Sequence, residues 1–259
     1  MPKSSTTSRE LEVTGRKSLN GTTVVTGAAS GIGRAAALRL RDDGMHVIAV
    51  DINREALEEI EGVEILVADL TIDEDRDKIV KAGNGARALV NAAGLIRLKP
   101  LLDFTVQDIR DIYAVNLEAP WDLVSRIGRT MPSGGSIVNL SSVSAKLTAT
   151  QETAVYASSK SAILSMTRSF AYAFGPKNVR VNAICPGIVD TPMQDKVLER
   201  LAQIRGTSVE EISTKRLASV PLGRTSNPSE IAGLISFLIS DEGSYFTGQA
   251  LSQDGGITM

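Results

Sequence analysis

The chain has 259 residues, of which 42% are hydrophobic and 22% charged, and its formal net charge is -2. That length holds one large α/β domain or two small ones with an ample core, and the near-neutral charge offers no electrostatic basis for a nucleic-acid or anionic-membrane partner. No apolar run approaches the ~20 residues of a membrane span, while a lone cysteine, Cys185, and a lone histidine, His46, exclude an intramolecular disulfide and argue against a metal centre.

Residues 1–17 are polar and Ser/Thr-rich, lack the apolar segment of a signal peptide, and carry Glu10 and Glu12, which argue against a transit peptide. They read as a flexible N-terminal arm. That leaves 18–259 as a single domain, with a cytoplasmic protein as the expectation. Thr22–Thr26 is β-rich, Gly27 to Gly33 follows at once, and Arg34–Arg41 carries a helical Ala/Leu pattern closed by Gly44. His46–Val50 is the next strand, with Asp51 at its end; a histidine opening an apolar strand argues against a Ser-His-Asp triad. Asn53–Ile60 reads as a short helix, Val63–Val67 as a third strand and Asp73–Ala82 as another helix.

Ala88–Val90 forms a fourth strand running into Asn91-Ala92-Ala93-Gly94, and Thr105–Arg129 is a long helical stretch with a bend expected at Pro120. Ser136–Leu140 is a fifth strand, Thr153–Phe174 a long helix ended by Gly175-Pro176, and Val179–Ile184 a sixth strand leading to Pro186-Gly187. Residues 191–217 are charged and helix-prone. Asn227–Ser240 is a helix with an apolar stripe, and Gln249–Ser252 a last short strand. Strands alternating with helices and no linker-like break predict an α/β fold: one doubly wound parallel sheet, the Rossmann arrangement, with about seven strands and helices on both faces. Such sheets bind ligands at the carboxyl ends of their strands.

The turn Thr26-Gly27-Ala28-Ala29-Ser30-Gly31-Ile32-Gly33 lies between a strand and a helix, where glycines let the backbone approach a pyrophosphate aimed at the helix N-terminus. Asp51, about 20 residues further on, is placed to accept hydrogen bonds from the adenosine ribose and to repel a 2′-phosphate. It can also cap the next helix, and the two roles are compatible. Neither Ser30 nor Ile52 offsets that repulsion, although Arg34 is near, so the expected cofactor is NAD. Asp69 suits either an adenine contact or a cap on Thr71. The small residues Asn91-Ala92-Ala93-Gly94 suit either a planar cofactor lying on backbone or tight packing under the sheet.

Tyr156 and Lys160 stand four apart in a predicted helix, hence on one face. An ammonium beside a phenol favours the phenolate, so the tyrosine pKa is expected below its reference of ~10, making an acid/base for neutral pH.

As a set, these residues resemble the short-chain dehydrogenase/reductase family: the T-G-x-x-x-G-x-G turn at Thr26–Gly33, N-A-A-G at Asn91–Gly94, Asn116, Ser142, Tyr156-x-x-x-Lys160, Pro186-Gly187 with Thr191, and the ending Gly248-Gln249…Asp254-Gly255-Gly256. The resemblance spans nearly the whole chain. It implies that Tyr156 exchanges a proton with the substrate oxygen, Lys160 lowers its pKa and hydrogen-bonds the nicotinamide ribose, and Ser142 holds the substrate oxygen. Asn116 would shape its helix and position a water serving a proton relay. The backbone near Val189, with Thr191, would hold the carboxamide, and Ile52 and Leu70 join the cofactor contacts. Ser142 lies one residue further from Tyr156 than the family usually places it. An insertion in the loop Ser144–Thr153 accounts for this and favours Ser142 over Ser141 and Ser144. Ala92 stands where a second asparagine is more common.

The substrate pocket is expected between that loop (Lys146, Gln151, Glu152), the residues after Gly94 (Leu95, Arg97) and a lid over 191–217 beginning near Met193. Gln151 and Glu152 suit a sugar, polyol or other small polar secondary alcohol, unless they are solvated loop residues. No basic cluster marks an acyl-carrier or coenzyme A site, which leaves 3-oxoacyl-thioester reduction as the second enzyme reading; a catalytically silent NAD(H) sensor is a third. Small residues along one helix (Ala157, Ser158, Ser161, Ala162, Ser165, Ser169) fit the homotetramer that the resemblance implies, or packing within the monomer.

Overall fold

The computed structural model describes residues 19–147 and 150–259, so the expected arm over 1–17 lies outside the described residues. Seven strands form one sheet in the order β3-β2-β1-β4-β5-β6-β7. They are β1 Thr22–Thr26, β2 His46–Asp51, β3 Glu64–Val67, β4 Ala88–Asn91, β5 Ser136–Leu140, β6 Arg180–Pro186 and β7 Ala250–Gln253. All neighbours pair parallel. The order reverses between β1 and β4, and the strand ends there open the crevice in which such sheets bind ligands.

Side chains alternate across the sheet because successive residues of a strand point to opposite faces. Val25, Val47, Ala49, Val90 and Val138 pack on one face with the helices α1 (Gly31–Asp42) and α9 (Pro228–Ile239). Val24, Ile48, Val50, Leu89 and Ile137 pack on the other, against α3 (Asp73–Ala82), α5 (Ala119–Thr130) and α6 (Ala154–Phe174). Both faces being covered, the strands read as nearly continuous apolar runs. The remaining helices are α2 Arg54–Glu58, α4 Val106–Tyr113, α7 Pro192–Arg205 and α8 Val209–Leu217. The last two occupy the segment expected as a lid and have a small core of their own, in which Val197, Leu201, Ala202 and Ile212 pack with Leu98.

The bend expected at Pro120 takes another form. Between α4 and α5 the backbone widens into a π turn over Ala114–Glu118, with the Ala119 N–H donating to the Ala114 carbonyl. Pro120 has no N–H to give the carbonyl four residues back, and the wider turn falls where that bond is missing. Asn116 sits inside it, fully buried.

Candidate active site

Local geometry makes the glycine turn a cradle. Gly27 has φ +69°, and a Cβ there would come within 2.7 Å of the Ala93 backbone; one at Gly33 would meet the Gly27 carbonyl oxygen at 2.0 Å. Only glycine fits both positions. Ser30 caps α1 without a side-chain hydrogen bond, so the first-turn N–H groups face the cleft with no side chain across them. Free N–H groups at the positive end of a helix suit a diphosphate, so these residues fit a dinucleotide.

The cleft over this turn measures about 640 Å³. It is lined by Gly27, Ser30, Gly31, Ile32 and Gly33, by Asp51 and Ile52 at the end of β2, by Asp69 and Leu70 after β3, by Ala92, Ala93 and Gly94 after β4, and by Tyr156, Lys160 and Thr191. Asn91 lies beneath the floor, its Nδ2 donating to Asn139 Oδ1 at 2.8 Å. Pro186, Gly187 and Val189 line an adjoining cavity instead. Asp51 accepts hydrogen bonds from the Ala29 N–H at 3.1 Å and the Asn53 N–H at 3.0 Å. Asp69 Oδ1 takes both the N–H and the hydroxyl of Thr71, which is the capping role. Arg34 pairs with Glu59 at 3.1 Å and does not line the cleft, whereas Lys196 does.

The adjoining cavity, about 580 Å³, runs from Ser142 and Tyr156 beneath the lid. The two spaces meet at Tyr156, which borders both. Its pKa is pushed up to about 12 by burial, against which the Ser142 hydroxyl bonded to it works in the opposite sense. Lys160 is buried, donates from Nζ to the Leu140 carbonyl at 2.8 Å, and stands 5.7 Å from the centre of the tyrosine ring. Burial lowers its pKa to about 8. This corrects the expectation of a lowered tyrosine pKa. In a poorly solvated corner burial favours the neutral form of each group, and at Tyr156 it outweighs the pull of the neighbouring ammonium.

The serines divide by direction. Ser141 is buried and its hydroxyl donates to the Lys160 carbonyl at 2.8 Å, whereas Ser142 reaches the phenol from the cavity side. The hydrogen bonds of the Asn116 side chain go elsewhere than to Lys160. Its Oδ1 accepts the Leu95 N–H at 2.7 Å, and its Nδ2 donates to the Leu95 carbonyl and to Ser159 Oγ, both at 2.9 Å. It thereby ties the segment after β4 to the helix carrying Tyr156. Gly94 lies against the same corner: a Cβ there would meet Lys160 Nζ at 3.5 Å and Asn116 Oδ1 at 3.6 Å, both ordinary contacts.

Several residues expected around the substrate stand elsewhere. Glu152 is held by Arg205 with Nε–Oε1 at 2.8 Å and Nη2–Oε2 at 3.0 Å, so its carboxylate is occupied, and neither it nor the exposed Gln151 borders the cavity. Lys146 donates to the Ala250 carbonyl at 2.9 Å and Ser252 Oγ at 2.8 Å. Arg97 pairs with Asp111 at 2.6 Å and Asp108 at 3.2 Å, and Leu95 lines the nucleotide cleft. Met193 borders both spaces, as a residue opening the lid should. Arg205, Lys215 and Arg216 also reach the cavity, and sequence reasoning missed them because helix periodicity does not say which lid face turns inward.

A cleft over a glycine turn that meets a second cavity at a tyrosine, backed by a buried lysine and flanked by a serine, defines a nucleotide-dependent oxidoreductase. The comparisons agree: a family model described as Enoyl-(Acyl carrier protein) reductase matches residues 27–258. The chain is 36% identical over 250 residues to the 3-oxoacyl-[acyl-carrier-protein] reductase FabG of Thermotoga maritima, covering 91% of this chain and 97% of that one. It is 32% identical over 255 residues to the L-2,3-butanediol dehydrogenase of Corynebacterium glutamicum, covering 90% and 97%. Among solved structures it resembles a 4-hydroxyisoleucine dehydrogenase complexed with NADH, at TM-score 0.81 and 29% identity over 92% of this chain and 99% of that one. The chain belongs to the short-chain dehydrogenase/reductase family, and it is an oxidoreductase acting on the CH–OH group of an alcohol or the corresponding ketone.

Proposed function

We propose that the protein transfers hydride between NAD(H) and a small polar secondary alcohol or its ketone. The observation that carries this reading is the position of Tyr156 at the junction of the two spaces, with Ser142 beside its hydroxyl. Bound NAD supplies the hydride acceptor and a positively charged ring. As the phenolate, a form favoured by the positive charge of Lys160 and of the NAD ring, Tyr156 would take the carbinol proton in oxidation; as the phenol it would return it in reduction, and Ser142 orients the substrate oxygen. Asn116 acts by positioning the Leu95 segment and α6. The preference for NAD rests on the Asp51 carboxylate and on Arg34 being paired with Glu59. The sugar or polyol expectation loses the Glu152 carboxylate on which it partly rested.

Reduction of a 3-oxoacyl thioester is the second reading, favoured by the likeness to FabG. Initial rates with NAD and NADP across secondary alcohols, hydroxy acids and polyols, set beside NADH and NADPH oxidation by acetoacetyl-coenzyme A, decide between them. A silent sensor is disfavoured because Ser142, Tyr156 and Lys160 are all present and converge. We also propose a homotetramer. Along α6, Ser158, Ser161, Ser165 and Ser169 are exposed rather than packed in the monomer core, and Trp121 on the adjacent α5 is 49% exposed. Light scattering on a size-exclusion column tests this. A cytoplasmic protein remains the proposal for location, and among the described residues no helix is long and apolar enough to cross a membrane.

A further inference from the structure

The cavity beyond Tyr156 is walled largely by apolar side chains, Ile96, Leu147, Val197 and Leu201 among them, and among the described residues no carboxylate lines it. Three cations of the lid do: Arg205, Lys215 and Arg216. Two are already matched. Arg205 is gripped by Glu152, and Lys215 pairs with Glu211 at 2.6 Å. Arg216 differs. Its guanidinium has no ion pair or hydrogen bond among the described residues, and Nη1 is fully buried without a partner. Burial, and secondarily the charge of Arg205, lower its pKa from the usual arginine value. A guanidinium nevertheless stays charged at physiological pH, and an uncompensated buried charge is destabilising, so such a group is retained where something completes it.

We propose that Arg216 receives an anionic end of the substrate, so that the alcohol presented to Tyr156 is a hydroxy acid. The charge count selects a monoanion. With Arg205 and Lys215 neutralised by Glu152 and Glu211, one positive charge faces the cavity, and a planar guanidinium matches a carboxylate. The apolar wall between the two ends suits the carbon chain. In the reaction, which rests on the dehydrogenase reading above, the carbinol carbon would give its hydride to NAD and its oxygen its proton to the Tyr156 phenolate, leaving the phenol. The C–O bond becomes a carbonyl and the carboxylate is unchanged. Arg216 is a specificity residue and takes no part in the proton transfer.

The test pairs turnover with binding. Lactate, 3-hydroxybutyrate and 4-hydroxypentanoate are each assayed with NAD against their methyl esters, and butyrate and butyramide are titrated calorimetrically into the NADH complex. For at least one chain length the acid-to-ester ratio of kcat/KM should exceed ten. In Arg216→Leu that ratio should fall at least tenfold, chiefly through KM, with Arg216→Lys intermediate; butyrate should bind at least tenfold tighter than butyramide, and lose that advantage in Arg216→Leu. Esters used as well as acids, equal binding of butyrate and butyramide, or equal loss of acid and ester activity in Arg216→Leu overturns the proposal. Should that variant not fold, the wild-type ratios and Arg216→Lys decide. Butyrate held through Arg216 without turnover of any alcohol would leave the anion site standing and sink the dehydrogenase reading. Oxidation of neutral alcohols without butyrate binding would do the reverse.

Discussion

Arg205, the last residue of α7, grips Glu152 in the loop before α6 through two parallel hydrogen bonds of 2.8 and 3.0 Å. The pair latches the lid to the wall of the substrate cavity. The contact holds the Glu152 carboxyl below its usual pKa and raises that of Arg205. Glu152 is largely shielded and Arg205 is 39% exposed, so screening limits the pair to about 1 kcal/mol. Arg205→Ala should therefore raise KM for the alcohol about fivefold while leaving the NADH dissociation constant nearly unchanged. Steady-state kinetics beside NADH fluorescence titration checks both.

Tyr156→Phe keeps the ring between the two spaces and removes the hydroxyl that would exchange the proton. We expect kcat to fall by at least about 10³, within the range of a lost general acid/base, with NADH affinity kept within about threefold. Ser142→Ala should cost less, about 10- to 100-fold in kcat/KM, because it orients the oxygen without taking the proton. Equal loss of NADH binding in Tyr156→Phe would mean that its role has been misread.

Asp51→Ala removes the carboxylate that would face a 2′-phosphate. The NAD-to-NADP ratio of kcat/KM should then fall at least tenfold, about 1.4 kcal/mol. Adding Glu59→Gln frees Arg34 from its 3.1 Å pair and should move the ratio further toward NADP. Initial rates with the two nucleotides at fixed alcohol measure it.

Lys160 titrates at about 8 in the fold and near 10.5 unfolded. Between those values the unfolded chain binds more protons, so the Lys160 contribution to stability grows as pH rises from 8 to 10.5 and is lost as pH falls through 8. Tyr156, raised to about 12 from 10.0, has the opposite sign: its contribution is complete below pH 10 and is lost above it, toward 12. Wild-type stability measured against Lys160→Met should therefore improve from pH 7 to 9.5, read as the difference in urea midpoints. For the reaction, discharge of the ammonium removes positive charge from behind the phenol, so kcat/KM for ketone reduction should decline above pH 8.

Much of this was legible in the chain because it depends on neighbours in sequence. Apolar runs bounded by turns located all seven strands, and the strand–glycine–helix order located the crevice. Asp51 could be placed because a residue closing a parallel strand sits at the open edge of the sheet. The four-residue spacing put Tyr156 and Lys160 on one helical face. Their protonation was another matter. It follows from burial, which depends on what the fold packs around the pair, and burial outweighs the effect expected from the local pair alone.

The same limit explains the substrate side. Glu152, Lys146 and Arg97 were expected in the pocket from their positions along the chain, but each found a partner far away in sequence or on a neighbouring helix: Arg205, β7 and α4. Arg216 carried no mark in a charged helical stretch. By itself the sequence determined the order of elements, the glycine turn between β1 and α1, and the placing of Tyr156 and Lys160 on one helical face, since backbone sterics and periodicity act locally. Which charges are paired and which one is left facing the cavity was decided only by tertiary structure, because pairing and desolvation depend on what the fold brings within a few ångströms.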